Sequence, residues 1–336
     1  MKKNKSNILV SLLFIALLIL TASISQVEAQ SHSWTFASIG SEGSFRHVTI
    51  ERFNEVIQEK TDGDVEIRYF LDGALGSAQE SIETLQAGGI DLQIAAPSAL
   101  GAIVPGYQAI SLPFIVNDRE EAFAALDGPF GGRIKELAEK ENIKILGFTD
   151  IGFTQITNNV RPINSPDDFS GMTMRTSPAP HYVEQFREMG ASVSTMPFGE
   201  VYLALDQGVI DGQFNPLNSI RSQSFYEVQD YLAITNNVFF AGAILMNLDL
   251  WESLDEGLQE QIMKATAEAE IAGRAFAEEE FDDSIEYLEQ HFEEITYPDL
   301  EPFIEAMQPI YENMGDEFGE DNIQLLIDFL EEYRNE

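Results

Sequence analysis

The side chains best placed for chemistry in this chain are an arginine and an asparagine forty residues apart. Arg175 stands near the end of a short apolar-alternating run, Met172–Thr176, and Asn215 follows a second such run, Val209–Phe214. The segment Gly199–Gln207 between them has the apolar spacing of a compact amphipathic helix. A strand–helix–strand unit of this kind aims the ends of two parallel strands at one crevice. An arginine there can grip a carboxylate through two parallel hydrogen bonds, and an asparagine amide adds both donors and an acceptor. Each residue also fits a plainer role. Arg175 could pair with one of the chain's many acids, and Asn215 could be a turn residue ahead of Pro216. Phe198, Phe214, Phe239 and Phe240 read either as pocket walls or as core. Gln155 reads either as a donor to a bound anion or as a solvated loop amide.

Nothing else in the sequence competes as reactive machinery. The histidines at 32, 47, 181 and 291 are scattered and form no pair at metal-binding spacing, so no metal site is expected. The glycine clusters at 40–43 and 127–132 lack the Gly-Lys-Ser/Thr ending of a phosphate loop, and no Gly-x-Ser-x-Gly elbow is present. Carboxylates are too numerous for any pair to be diagnostic. The expectation is therefore a protein that binds a small anion without transforming it and without a cofactor. A lyase or isomerase working through an acid–base pair is the enzymatic alternative.

The elements that must position these residues alternate. Trp34–Ile39 reads as a strand, Phe45–Lys60 as a helix, Asp64–Phe70 as a strand, Gln79–Ala87 as a helix and Ile90–Ala95 as a strand. This β-α-β-α-β order implies a mostly parallel sheet with helices on both faces. A second α/β block starts near Gln155. Ser165-Pro166-Asp167-Asp168 opens a helical turn. Met172–Thr176, Ser192–Met196 and Val209–Phe214 read as strands, and His181–Met189 as a helix. Val238–Asn247 reads as an apolar strand returning to the first block. Leu254 to about Phe292 lacks proline and reads as one long helix or two nearly continuous ones, on the order of 50 Å in length. Pro302–Tyr333 reads as two further helices.

The chain has 336 residues and no cysteine, with a formal charge of −38. Disulfides, thiolate metal sites and a lipidated cysteine are thereby excluded. Residues 1–29 have the form of an export signal: Lys2, Lys3 and Lys5, an apolar run from Ile8 to Leu20, then Val27 and Ala29 as a cleavage site. An uncleaved anchor is the alternative. That segment holds three lysines and one glutamate, so the remainder carries −40. Such acidity speaks against nucleic acid and anionic lipid as partners. It fits a solvated surface suited to a salty medium better than a steering field for a cation. Any anion site must then be a local positive island.

Several segments together carry a family resemblance. They include Gly73-Ala74-Leu75-Gly76, Leu112-Pro113-Phe114, Arg161-Pro162-Ile163 and Phe169-Ser170-Gly171-Met172-Thr173-Met174-Arg175. Further on come Gly199-Glu200-Val201-Tyr202-Leu203-Ala204-Leu205, Asp211-Gly212-Gln213 and Asn215-Pro216. The chain resembles the extracytoplasmic solute-binding proteins of tripartite ATP-independent periplasmic (TRAP) transporters. The resemblance implies an α/β fold of two lobes with mixed sheets, a hinge and a long bridging helix. Residues 30–153 with about 245–285 would form lobe I, and 154–244 with about 286–336 lobe II. It implies a periplasmic monomer, freed of its signal near Ala29, that delivers a carboxylated solute to the small and large subunits of a membrane permease. A sensor subunit presenting its ligand to a receptor kinase would share the same site. Arg175 takes the place of the family's carboxylate-gripping arginine, and Asn215 that of its neighbouring asparagine.

The departures from the family pattern bear on the ligand. Neither Thr154 nor Gln155 is basic where many members carry a second arginine, which disfavours a C4-dicarboxylate. Phe214 stands where many carry glutamate. The loop around Pro97, Ala95–Ala99, lacks the acid and arginine of sialic acid binders, and Gly40 replaces a glutamate of ectoine binders. A monocarboxylate with a partly apolar body is the expected solute. An ectoine-type osmolyte, a dicarboxylate or a sugar acid are the alternatives.

Overall fold

The computed structural model describes residues 32–335, so the export signal read at 1–29 lies outside the described residues. The first block runs β1 (His32–Ala37), α1 (Phe45–Lys60), β2 (Val65–Phe70), α2 (Ala78–Gln86), β3 (Leu92–Ala95), α3 (Pro97–Ile103), α4 (Arg119–Asp127), α5 (Pro129–Glu139) and β4 (Ile143–Asn158). The second runs β5 (Thr173–Thr176), α6 (Pro180–Glu188), β6 (Ser192–Thr195), α7 (Val201–Asp206), β7 (Gly212–Pro216), α8 (Leu217–Ser222) and β8 (Tyr231–Ala233). The chain ends with β9 (Phe239–Asn247), α9 (Leu248–Ser253), α10 (Glu256–Leu288), β10 (Glu294–Thr296), α11 (Glu301–Asn313), α12 (Gly315–Phe318) and α13 (Glu320–Asn335).

Two mixed sheets share one strand. In the first, β1 lies parallel to β2 and β3, and β9 runs antiparallel to β3 and to the first part of β4. In the second, the last residues of β4 pair antiparallel with β7 on one side and β8 on the other. There β5 lies parallel to β7 and β6, and β8 parallel to β10. Sixteen residues of β4 thus serve both sheets, with pairing irregularities between Ile145 and Gly147 and between Asp150 and Gly152. Irregularities of this sort bend a strand and increase its twist. Expecting a new block to start near Gln155 missed this strand. Nearly all of it is buried, and a strand covered on both faces shows no apolar–polar alternation.

Helix α1 buries Ile50, Phe53, Val56 and Ile57, which share a core with Ile262, Ala265 and Ala269 of α10. Each such large apolar side chain contributes about 1.5–3 kcal/mol on burial. The two helices approach closely at Gly273, where a Cβ atom would strike the Thr49 hydroxyl. Asp255 caps α10, accepting from the Leu258 amide at 3.0 Å. The 33 residues of α10 then span about 50 Å. Leu288 and Phe292, at and beyond its far end, belong to another core with Leu205, Ile220 and Leu232. The helix therefore bridges the two lobes.

The tail holds three helices where two were predicted, because Gly315 and Gly319 bracket the short α12. Phe303, Met307, Phe318, Leu326 and Leu330 join the largest core. Arg334 in α13 reaches back to α4, with Nη2 2.9 Å from Glu121 Oε2. Strand β7 begins at Gly212 rather than Val209. The Val209 amide closes the end of α7 on the Ala204 carbonyl at 2.9 Å, and its side chain is exposed.

Candidate functional site

Register decides which candidate side chains share a face. In the second sheet Arg175 lies opposite Gln213, Gln213 opposite Thr157, and Asn215 opposite Gln155. Partners in register point the same way and successive residues point apart. Arg175, Gln213, Asn215 and Gln155 therefore share one face, and Phe214 points to the other. There Phe214 packs edge-on against Tyr182, Phe186 and Phe240, with ring centroids 5.3–5.6 Å away. Phe239 likewise packs in the core against Phe123 and Phe153. The structure separates Phe214 from the arginine with which it was grouped.

The shared face is a polar ladder. The Asn215 amide donates to Gln213 Oε1, and Gln213 Nε2 donates to Thr157 Oγ1 at 2.9 Å. Gln155 is fully buried, and its amide is already spent. Its Oε1 accepts from the Thr235 and Asn236 amides at 2.8 and 3.0 Å, and its Nε2 donates to Asn236 Oδ1 at 2.6 Å and Phe153 O at 3.1 Å. This residue holds the 235–236 loop and has no donor left for an anion.

Arg175 is 3% exposed. Its Nε and Nη2 donate to the Met196 carbonyl at 3.2 and 2.6 Å, and no carboxylate of the described residues comes within 4.0 Å of it. Burial pushes its pKa down to about 9, while the charge of Glu200 acts in the opposite sense. A neutral carbonyl holds the guanidinium in place but does not neutralise it. An uncompensated buried charge is costly, and an incoming carboxylate would relieve that cost.

Two residues beyond Met196, Phe198 forms one wall of a narrow cavity, and its ring meets Phe225 edge-on at 6.0 Å. Arg175 does not line this cavity, but its partner Met196 stands two residues before Phe198, which does. Gly40, Ser41 and Arg46 line it from the first block, Asn218 and Ser222 from α8, and Glu280 from α10. Gly40 is required by crowding: a Cβ atom there would lie 2.9 Å from Arg46 Cβ and Cδ. Pro97 is buried at the first turn of α3 and does not border the cavity.

Arg46 and Glu280 were not found by sequence reasoning. Arg46 is 7% exposed, with its guanidinium 4.6 Å from the Phe45 ring centroid. Its Nε is buried without a partner, and burial pushes its pKa down to about 10. Glu280 Oε2 is likewise buried without a partner. Burial pushes that carboxyl up to about 7, against the opposing pull of Arg221 and a hydrogen bond from Asn218. The one sequence signal was local: Phe45, Arg46 and His47 make up the first turn of the helix.

A second depression is larger, with about 1460 Å³ of empty space, and lies between α4 and α10. Its arginines are paired. Arg119 Nε lies 2.6 Å from Asp150 Oδ2, and Arg274 Nη1 lies 3.0 Å from Asp127 Oδ2. Burial raises the Asp150 carboxyl above its usual range although Arg119 opposes this. His181 is buried beside Ser111, and burial pushes its imidazole down to about 3, so it stays neutral. Among the described residues no group of three or more His, Cys, Asp or Glu is placed to hold a metal ion. No helix among them is long and apolar enough to cross a membrane.

Comparison with known proteins gives consistent matches. Residues 36–317 match the model of the bacterial extracellular solute-binding protein family 7, DctP. The 2,3-diketo-L-gulonate-binding periplasmic protein YiaO of Escherichia coli is 29% identical over 286 residues, covering 85% of this chain and 87% of that protein. A TRAP periplasmic solute-binding protein from Chromohalobacter salexigens with bound D-glucuronate superposes with a TM-score of 0.85 at 29% identity, covering 89% of this chain and 99% of that one. Another from Polaromonas, bound to D-erythronate, gives 0.84 at 27% identity, covering 88% and 98%.

Proposed function

The chain belongs to the bacterial extracellular solute-binding protein family 7, and on that premise we propose that Arg175 grips the carboxylate of a small organic solute in the cleft between the lobes. The protein is a TRAP solute receptor, not an enzyme. One observation carries the site assignment: in a chain of 57 acids, Arg175 is buried with only a backbone carbonyl for a partner. Asn215 stands beside it on the same sheet face with its Oδ1 uncommitted among the described residues, placed to accept from a hydroxyl of the solute. Phe198 supplies an apolar wall and Gly40 the space beside it. The D-glucuronate and D-erythronate bound by the structural relatives support an acid that also bears hydroxyls. The serine-rich cavity lining supports the same choice over a partly apolar body.

The lobes of this reading are residues 30–153 with about 245–285 and 154–244 with about 286–336, with α13 strapping the tail back onto α4. The receptor acts as a monomer in the periplasm after cleavage near Ala29, and hands its solute to the small and large permease subunits. The test is a thermal-shift screen of the mature protein against organic acids, sugar acids and osmolytes. A ligand bound only by the native state stabilises it by about 2.7 kcal/mol at a hundredfold excess over its Kd. A carboxylate that raises the melting point of the wild type and not of Arg175→Ala supports the assignment. A carboxylate that raises both equally removes Arg175 from the site.

A further inference from the structure

Arg175 and Arg46 are the only buried arginines among the described residues. Arg52, Arg119, Arg133, Arg187, Arg274 and Arg334 all meet carboxylates within 4.0 Å, whereas these two meet none. The Arg46 side chain makes no hydrogen bond to any described residue. It faces a cavity that Glu280 also faces, each with one buried polar atom lacking a partner, and the two do not come within 4.0 Å of each other. A cation and an anion held apart across one cavity are a matched request. A hydroxyl group fits between them, since its oxygen accepts from the guanidinium while its proton goes to the carboxylate. A second carboxylate would suit Arg46 but would meet the charge of Glu280, and like charges so placed oppose binding.

We propose that Arg46 and Glu280 form a second pole of the solute site that reads hydroxyls at the end of the ligand remote from Arg175 and selects against a second carboxylate there. The assignment rests on the receptor reading above. It also assigns the parts to moving bodies: Arg46 to α1, Phe198 to the opposite lobe and Glu280 to the bridging helix. Hydroxyls at this pole are therefore sensed only when the three come together.

The experiment is titration calorimetry at pH 8 with D-gluconate, D-glucuronate, hexanoate and succinate, on the wild type, Arg46→Met, Glu280→Gln and Arg175→Met. The wild type is expected to prefer a hydroxylated acid to succinate. Arg46→Met and Glu280→Gln should each weaken that acid about 10- to 100-fold, the range for a hydrogen bond to a charged group. Hexanoate, which has nothing to offer this pole, should be bound equally by these two variants and the wild type, or by none of the three. Glu280→Gln should narrow the gap between the hydroxylated acid and succinate. Because Gln replaces Glu without change of shape, that variant decides the matter if Arg46→Met does not fold. Unchanged affinity for the hydroxylated acids in both variants, or a wild-type preference for succinate, overturns the second pole and leaves the receptor reading standing. Binding by Arg175→Met equal to the wild type, or no binding of any acid by the wild type, overturns the receptor reading and this inference with it.

Discussion

The two depressions of this molecule hold arginines in opposite states. In the large groove between α4 and α10, Arg119 and Arg274 are matched with Asp150 and Asp127. In and beside the small cavity, Arg46 and Arg175 have no carboxylate of the described residues within 4.0 Å. In the larger space both arginines are already paired, although Asp150 Oδ1 there lacks a partner. A groove whose cations are already paired has little to gain from an anion, whereas an under-neutralised arginine gains a counter-charge and loses a desolvation cost together. Volume alone would point instead to the large groove.

The contrast can be broken most forcefully at Arg175. Arg175→Ala should lower affinity for the cognate acid by about 2–5 kcal/mol, measured calorimetrically, with the fold retained. Next comes the groove. Arg119→Met strands the buried Asp150 carboxylate and should cost about 2–4 kcal/mol of stability in denaturant titration, with ligand affinity unchanged. A matching loss of affinity would place the groove within the site. Gly40→Ala is smaller, at about 1–3 kcal/mol, because its methyl group displaces Arg46. It should lower stability and affinity together, whereas Gly132→Ala, with open space around it, should lower neither through crowding.

The smallest effect sharpens the comparison through pH. Glu280 has its carboxyl raised to about 7 by burial, so the folded protein holds this proton more firmly than the unfolded chain. Its favourable contribution is present below the ordinary glutamate range and is lost as pH rises through about 7. Melting temperatures of the ligand-free wild type should therefore fall relative to Glu280→Gln between pH 4.5 and 7.5. A constant difference across that range would show Glu280 to be solvated and ordinary.

Local pattern carried most of the fold. Phe45–Lys60 shows its helix outright, because Phe53, Val56 and Ile57 fall on one stripe and Thr61-Asp62-Gly63 ends it. Strand β4 escaped because a strand buried on both faces leaves no periodicity to read. Of the proposed site, the placing of Arg175 and Asn215 on neighbouring strands was legible from strand context. Gln155 was not, since the demands on its amide come from residues 235–236, eighty positions away. Alternation within β7 separates Phe214 from Asn215, but only the register of β7 against β5 puts Arg175 on the Asn215 side. Arg46 reads in sequence as a charge on a helix surface, and only the packing of the opposite lobe buries it.

The single strand common to both sheets has a mechanical consequence. A ribbon one chain wide is stiff along its length, because stretching it means stretching covalent bonds. It is compliant in torsion, because only two ladders of hydrogen bonds flank it. With β4 as the leaf of such a spring and α10 as a strut alongside, the lobes can rotate about an axis near the Asp150–Gly152 irregularity without sliding apart. Any opening or shutting of the lobes must then bend or twist this one strand, whatever the shape of the ligand.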